Sequence, residues 1–94
     1  MKIFTYKIDD KFMKAIRWHF GEAKYIDVSK RYQDILALCT DIVVIHVDAC
    51  EPEVLDTIKE YEAETKDEDD TQYIYLTSEE LQCWTKEIDT LLEN

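Results

Sequence analysis

Apolar and polar residues follow two different periods along this chain, and stretches of the two kinds alternate. Four short stretches are rich in β-branched and aromatic residues and are bounded by polar residues, which is typical of strands. These stretches are Lys2–Ile8, Ala23–Val28, Ile42–Val47 and Gln72–Leu76. The third is almost entirely apolar, which predicts a central strand that is buried on both faces.

Between and after these strands, apolar residues recur every three or four positions, as they do in amphipathic helices. The predicted helices cover Lys11–Phe20, residues 30–39, a segment that begins near Pro52, and a segment that follows Thr77. Thr77 and Glu80 have the spacing of a capping box. In the last helix, we expect one face to enter the core, and this face consists of Leu81, Trp84, Ile88, Leu91 and Leu92.

The element order βαβαβαβα predicts an α/β fold with a mostly parallel sheet and helices on both faces. With one glycine and one proline, the chain has no material for a flexible linker. We therefore expect residues 1–94 to form a single compact domain.

The third predicted helix lies in the most acidic part of the chain. Between Glu51 and Asp70 there are ten acidic residues and two lysines. Helical spacing places Val54, Ile58 and Tyr61 on one side of this helix. The acids that fall on the other side, or follow directly, are Glu53, Asp56, Glu60, Glu64, Asp67, Glu68, Asp69 and Asp70. Secondary candidates for an acidic binding surface are Glu62, Glu79, Glu80, Glu87 and Asp89.

The charge of the chain is unevenly distributed. The net charge is −11, but residues 1–31 carry eight basic and four acidic residues, a net charge of +4. Residues 32–94 carry three basic and eighteen acidic residues, a net charge of −15. Phosphate repulsion disfavours direct nucleic-acid binding by the acidic part, so we expect basic partners, above all DNA-binding proteins. The simpler interpretation of the acids on and after the third helix is a solvated face, and the alternative is a surface that imitates a phosphate backbone.

Other chemistry is weakly represented in the sequence. The three cysteines lack CxxC spacing, and no glycine-rich phosphate loop or convincing histidine–nucleophile pair is evident, so we expect neither an enzyme nor a cofactor. Trp18 lies among Lys11, Lys14 and Arg17 and is expected to point outward. No apolar run could span a membrane and no secretory signal is present, which favours a cytoplasmic protein.

The order of polar residues at the strand ends resembles that in the receiver domains of bacterial response regulators. The first strand ends in paired acids (Asp9 and Asp10), the third in Asp48 with Pro52 four residues later, and the fourth in Thr77. This resemblance implies a flavodoxin-like sheet with strand order 2-1-3-4 and Asp48 as a degenerate phosphoacceptor. The chain lacks the fifth strand and helix of that family and the lysine before that strand. The three aspartates could still hold Mg²⁺ with water, or they could cap helices and end strands.

A sheet that stops at its fourth strand leaves that strand as an open edge. We expect a homodimer formed through this edge or through the neighbouring fourth helix. The residues of the edge are Tyr73, Ile74, Tyr75 and Leu76.

In size, acidity and single-domain compactness the chain also resembles the phage DNA-mimic inhibitors of the anti-restriction class, which share a charge layout rather than a motif. This resemblance implies a non-enzymatic protein in the host cell cytoplasm. It would occupy the DNA-binding surface of a restriction nuclease or a histone-like nucleoid protein. The alternative is a receiver-like signalling or interaction module.

Overall fold

A computed structural model describes residues 1–93, with Glu93 described by its backbone alone. The strands are β1 (Lys2–Tyr6), β2 (Lys24–Asp27), β3 (Ile42–His46) and β4 (Gln72–Leu76). The helices are α1 (Asp10–Phe20), α2 (Gln33–Ala37), α3 (Pro52–Thr65) and α4 (Ser78–Glu93), and a 3-10 turn covers Val47–Ala49. Strand and helix therefore alternate as predicted.

The four strands form one parallel sheet in the order β2-β1-β3-β4, which confirms the predicted fold class. β1 and β3 are neighbours at its centre, where Ile3 pairs with Ile42 and Tyr6 with Ile45. Every residue of β3 is buried, in agreement with its continuous apolar sequence.

The two faces of the sheet carry two separate apolar clusters. One includes Ile3, Val44 and Leu76 of the sheet with Ile16 of α1 and Leu81 of α4. On the other face, the cluster contains Phe4, Val43 and Ile45 with Ile35 of α2 and Ile58 of α3. Helices therefore cover both faces, with α1 and α4 on one and α2 and α3 on the other.

The second helix is shorter than the sequence predicts, with five residues rather than ten. Ser29 directly precedes the predicted helix and could cap it by its residue type, but it makes other hydrogen bonds. Its backbone N–H donates to Asp27 Oδ1, and its hydroxyl oxygen accepts the N–H of Lys7 at 2.7 Å. Helical periodicity over residues 30–39 predicts Cys39 on the inward face, but Cys39 is exposed because the helix has already ended at Ala37.

The capping box of α4 is confirmed. The Thr77 N–H donates to Glu80 Oε1 at 3.3 Å, and the Glu80 N–H donates to Thr77 Oγ1 at 3.2 Å. Asp9 occupies the position before α1, but its side chain makes no capping hydrogen bond. Within residues 1–93, no helix combines the length and the apolar composition that crossing a bilayer would require.

Candidate protein-binding surface

The rotation of α3 about its axis is fixed by the apolar residues on one side of the helix. Ile58 is completely buried between the helix and the sheet. Val54 and Leu55 are half-buried and pack against the same cluster. Tyr61 is half-buried as well. Pro52 is the first helical residue, where its fixed φ angle and missing N–H are tolerated. The opposite side of α3 is therefore held facing solvent.

That solvent-facing side carries four carboxylates, which we call the acid row: Glu53, Asp56, Glu60 and Glu64. All four are exposed. At about 1.5 Å per residue, the row extends along roughly 16 Å of the helix, with consecutive members separated by about 4.5 to 6 Å of rise. It is shorter than the spacing in the sequence suggests, because α3 ends at Thr65 and leaves Asp67 beyond the helix.

The acid row is not neutralised by ion pairs within the described part of the chain. The ion pairs there join Lys14 to Asp89, at 3.5 Å, and Arg31 to Asp34, at 3.6 Å. The carboxylates of the row are therefore available to cations from outside the molecule.

The acids after α3 form a turn rather than a continuation of the helix. The N–H groups of Glu68 and Asp69 both donate to the carbonyl oxygen of Thr65, at 2.9 Å each. Asp69 Oδ1 also accepts the N–H of Thr71 at 3.0 Å, so this carboxylate stabilises the turn. Asp67, Glu68, Asp69 and Asp70 are all exposed, which extends the acidic surface past the end of the helix.

The flank of α3 that faces β4 is chemically different from the acid row. Glu62 Oε1 accepts the hydroxyl of Tyr75 at 2.7 Å, and the ammonium of Lys59 lies 5.3 Å from the centre of the same ring. Burial raises the pKa of Tyr75, and the Glu62 carboxylate raises it further. Glu62 is half-buried, and its hydrogen bond to Tyr75 joins α3 to the sheet.

Besides Glu62, the other four secondary candidates for an acidic binding surface all lie in α4, on the other face of the sheet. Glu80 completes the capping box, and Asp89 is paired with Lys14. Glu79 and Glu87 are exposed. The sheet separates all four from the acid row, so the structure does not bring them into one surface.

β4 pairs only with β3 and forms one edge of the sheet, as predicted. Its apolar side chains point into the protein, however. Leu76 is only 3 % exposed, and Ile74 packs against the cluster beneath α1 and α4. Tyr73 and Tyr75 are half-buried on the α3 side, and burial raises the pKa of Tyr73 to about 12. The edge therefore offers backbone hydrogen-bonding groups more than apolar side chains.

The aspartates of the receiver-like pattern do not form a metal site. Among the described side chains, those of residues 1–92, no group of three or more His, Cys, Asp or Glu is arranged to hold a metal ion. Asp48 lies in the 3-10 turn after β3, and its carboxylate accepts the backbone N–H of Ser78 at 2.7 Å. The hydrogen bonds from Ser78 lower the pKa of Asp48. Asp48 thus caps the first residue of α4 from a neighbouring loop.

A histidine–serine contact near this cap is not predictable from the sequence spacing. His46 is 6 % exposed, and its Nδ1 lies 3.1 Å from the carbonyl oxygen of Lys7. Because a carbonyl only accepts, Nδ1 is the donor, and in the neutral ring Nε2 accepts the hydroxyl of Ser78 at 2.8 Å. A catalytic serine would need nearby N–H donors for an oxyanion, but the N–H of Ser78 at the start of α4 already donates to the Asp48 carboxylate. We interpret His46 as a connection between the ends of β1 and β3 and the start of α4.

Comparison with protein-family models gives no match for this chain, and no curated protein or solved structure matches it either. The geometry thus defines the chain by class alone, as a parallel α/β protein that presents a row of carboxylates on one helix.

Proposed function

We propose that this chain is a non-enzymatic DNA mimic that binds the DNA-contacting surface of a basic host protein and inhibits it. The observation that carries the proposal is the acid row, in which four exposed carboxylates stand on one helix face with no ion pair among the described residues. Targets of this chemistry are restriction nucleases and histone-like nucleoid proteins. In size and acidity the chain resembles the anti-restriction protein Arn of T-even phages. If it acts as that protein does, it works in the cytoplasm of the host cell.

The scale of the acid row supports mimicry of a phosphate backbone. Phosphates of one DNA strand are separated by about 3.4 Å along the helix axis, and the row carries charges every 4.5 to 6 Å or so. A lysine or arginine side chain is long and flexible enough to accommodate a difference of this size. The arginine fork also pairs with a carboxylate in two parallel hydrogen bonds, much as it pairs with phosphate.

The support beneath the row favours binding over mere solubility. Ile58 is completely buried on the opposite side of the same helix, and Glu62 holds the flank of the helix to Tyr75. The carboxylates therefore project from a fixed backbone, which lowers the entropy lost when a partner binds. A solubility function would require no such order.

The proposal is tested with the protein as bait in a bacterial lysate at low and at moderate salt. DNA-binding proteins should be recovered at low salt and lost as salt rises, because exposed charges are screened. A captured protein is then bound to a fluorescein-labelled DNA duplex, and addition of this chain should release the duplex. If the captured proteins keep their DNA at every concentration added, the proposal is wrong.

A receiver-like signalling module, with Asp48 as phosphoacceptor, has less support. One carboxylate oxygen of Asp48 already accepts the N–H of Ser78, so this side chain has a structural role at the start of α4. Lys86, which follows Thr77 in the sequence, lies within α4 and so does not occupy the strand-end position of the lysine that pairs with the phosphoryl group in receivers. We therefore retain mimicry as the proposal.

A further inference from the structure

The last turn of α4 does not follow the pattern predicted from the sequence. Leu91 and Leu92 belong to the predicted core face, yet they are 58 % and 56 % exposed. Trp18 of α1 is 60 % exposed. Single exposed apolar residues are common on protein surfaces, but Trp18 and Leu91 line the same hollow between α1 and α4. We call this hollow and its lining the α1–α4 patch.

The floor of the α1–α4 patch is rigid. The rings of His19 and Trp84 are stacked, with their centres 4.1 Å apart and their planes 13° from parallel. Ile88 is buried beneath them. A partner that covers Trp18 would therefore order few additional side chains, and tryptophan on such a surface is typical of an interface hot spot.

The rim of the patch carries balanced charge, although the protein as a whole has a net charge of −11. Arg17 and Glu22 line a second hollow that Trp18 shares, and Lys86 and Glu87 line a third that Leu91 shares. The rim therefore contains two basic and two acidic residues. Lys14 and Asp89, which pair with each other between the two helices, add no net charge.

We propose that the α1–α4 patch binds a second copy of this chain about a two-fold axis. A two-fold interface pairs one surface with itself, so it requires a rim whose charges complement each other after rotation, as mixed charges can. A strongly basic partner would be drawn to the acid row instead. A nucleic acid would meet Glu22 and Glu87 at the rim, and they would repel it.

The same charges favour this patch over the edge of β4 as the dimer interface. The hollow beside the β4 edge is lined by three acidic residues (Glu62, Asp69 and Asp70) and two basic ones (Lys59 and Lys66), so strand pairing would bring an excess of negative charge from two copies together. In a dimer through the α1–α4 patch, the sheet of each copy lies between its acid row and the interface. Repulsion across that thickness is screened, since the Debye length is about 8 Å at physiological salt. Both acid rows then face outward.

The proposal is independent of what the acid row binds, and it is tested by sedimentation equilibrium between about 1 and 200 µM protein, the range of moderate affinities. The wild-type chain should show a monomer–dimer equilibrium. Its dissociation constant should fall as salt rises, because salt screens the repulsion between two negatively charged copies. Replacing Trp18 and Leu91 with Asp should weaken it at least about tenfold, as loss of a hot spot does. The matched control replaces Ala37 and Leu38 with Asp, because it adds the same two negative charges at exposed positions on the other face of the sheet.

A third variant keeps the test valid if the double variant unfolds. Trp18→Phe should still dimerise but show a smaller blue shift of tryptophan emission on association, because the remaining Trp84 lines the same hollow and is already half-buried. A monomeric mass for the wild type at every concentration would overturn the proposal. So would an unchanged dissociation constant in a folded double variant, a blue shift that is undiminished in Trp18→Phe, or association that weakens as salt rises.

Discussion

Reversal of three charges in the acid row, by Asp56→Lys, Glu60→Lys and Glu64→Lys together, should abolish the displacement of DNA from a target protein. Measured coupling energies of charge pairs range from about 0.2–1 kcal/mol when exposed to about 1.5–7 kcal/mol across a close interface. The row is exposed, so about 1 kcal/mol per pair is a modest value. Three lost pairs then weaken binding by about 3 kcal/mol, or roughly a hundredfold, since about 1.4 kcal/mol is tenfold.

The triple variant should fold as well as the wild type does. The three substituted positions are spaced by four residues, so neighbours in the row repel each other before and after the change. Glu53 lies three residues before position 56, and that pair changes from repulsive to attractive, by about 0.2–0.5 kcal/mol. A cation at position 64, in the last turn of α3, also interacts favourably with the helix dipole. Lost binding therefore cannot be attributed to unfolding.

The assay is release of a fluorescein-labelled duplex from the target, followed by anisotropy at fixed salt. A charge-matched control reverses Asp9, Asp10 and Glu79, which are exposed and lie outside both the acid row and the α1–α4 patch. Both triple variants change the net charge from −11 to −5. If the acid-row variant competes as well as the wild type, mimicry by this row is refuted. An equal loss in the control would mean that net charge, rather than the row, determines inhibition.

Three further predictions concern the packing beneath α3, the burial of β4 and the cap of α4. Ile58→Ala should lower the free energy of unfolding by about 2–5 kcal/mol in urea titrations, because it leaves a cavity under α3, whereas the exposed Thr57→Ala should change it little. In alkaline absorbance titration, two of the six tyrosines should ionise far above pH 10, because burial raises the pKa of Tyr73 and Tyr75. The contribution of Tyr73 to stability should be complete below pH 10 and be lost as the pH rises toward about 12, so ordinary titration of all six tyrosines would contradict the packing of β4. Addition of Mg²⁺ with beryllofluoride should leave the NMR signals around Asp48 unshifted while that carboxylate caps α4, and a localised shift there would favour the receiver-like alternative.

The sequence predicts the fold well because each element carries its own local signal. The continuous apolar run of β3 and the capping box of α4 both appear as expected. The second helix is overestimated because Ser29, a good capping residue by type, instead accepts the N–H of Lys7 from the first strand-to-helix loop. That contact joins segments 22 residues apart, so helix periodicity could not reveal it.

The candidate site was only partly predictable for a similar reason. Helical spacing correctly separates Ile58 from Glu60, because both positions depend on one helix alone. It does not reveal where α3 ends, since the Thr65 carbonyl is capped by the N–H groups of Glu68 and Asp69 in a run of uniformly polar residues. Nor does it reveal the exposure of Leu91, which depends on how α4 lies against α1.

The strand order converts the uneven charge of the sequence into an uneven charge in space. β1, α1 and β2 come from the part of the chain with a net charge of +4, and the order β2-β1-β3-β4 places β2 at one edge of the sheet. α3, β4 and α4 come from the part with a net charge of −15 and lie toward the opposite edge. A basic DNA-binding groove therefore attracts one half of the molecule and repels the other, so collisions are oriented before contact. Two mutants of equal net charge should then differ in association rate according to which half was changed, and this difference should shrink as salt rises.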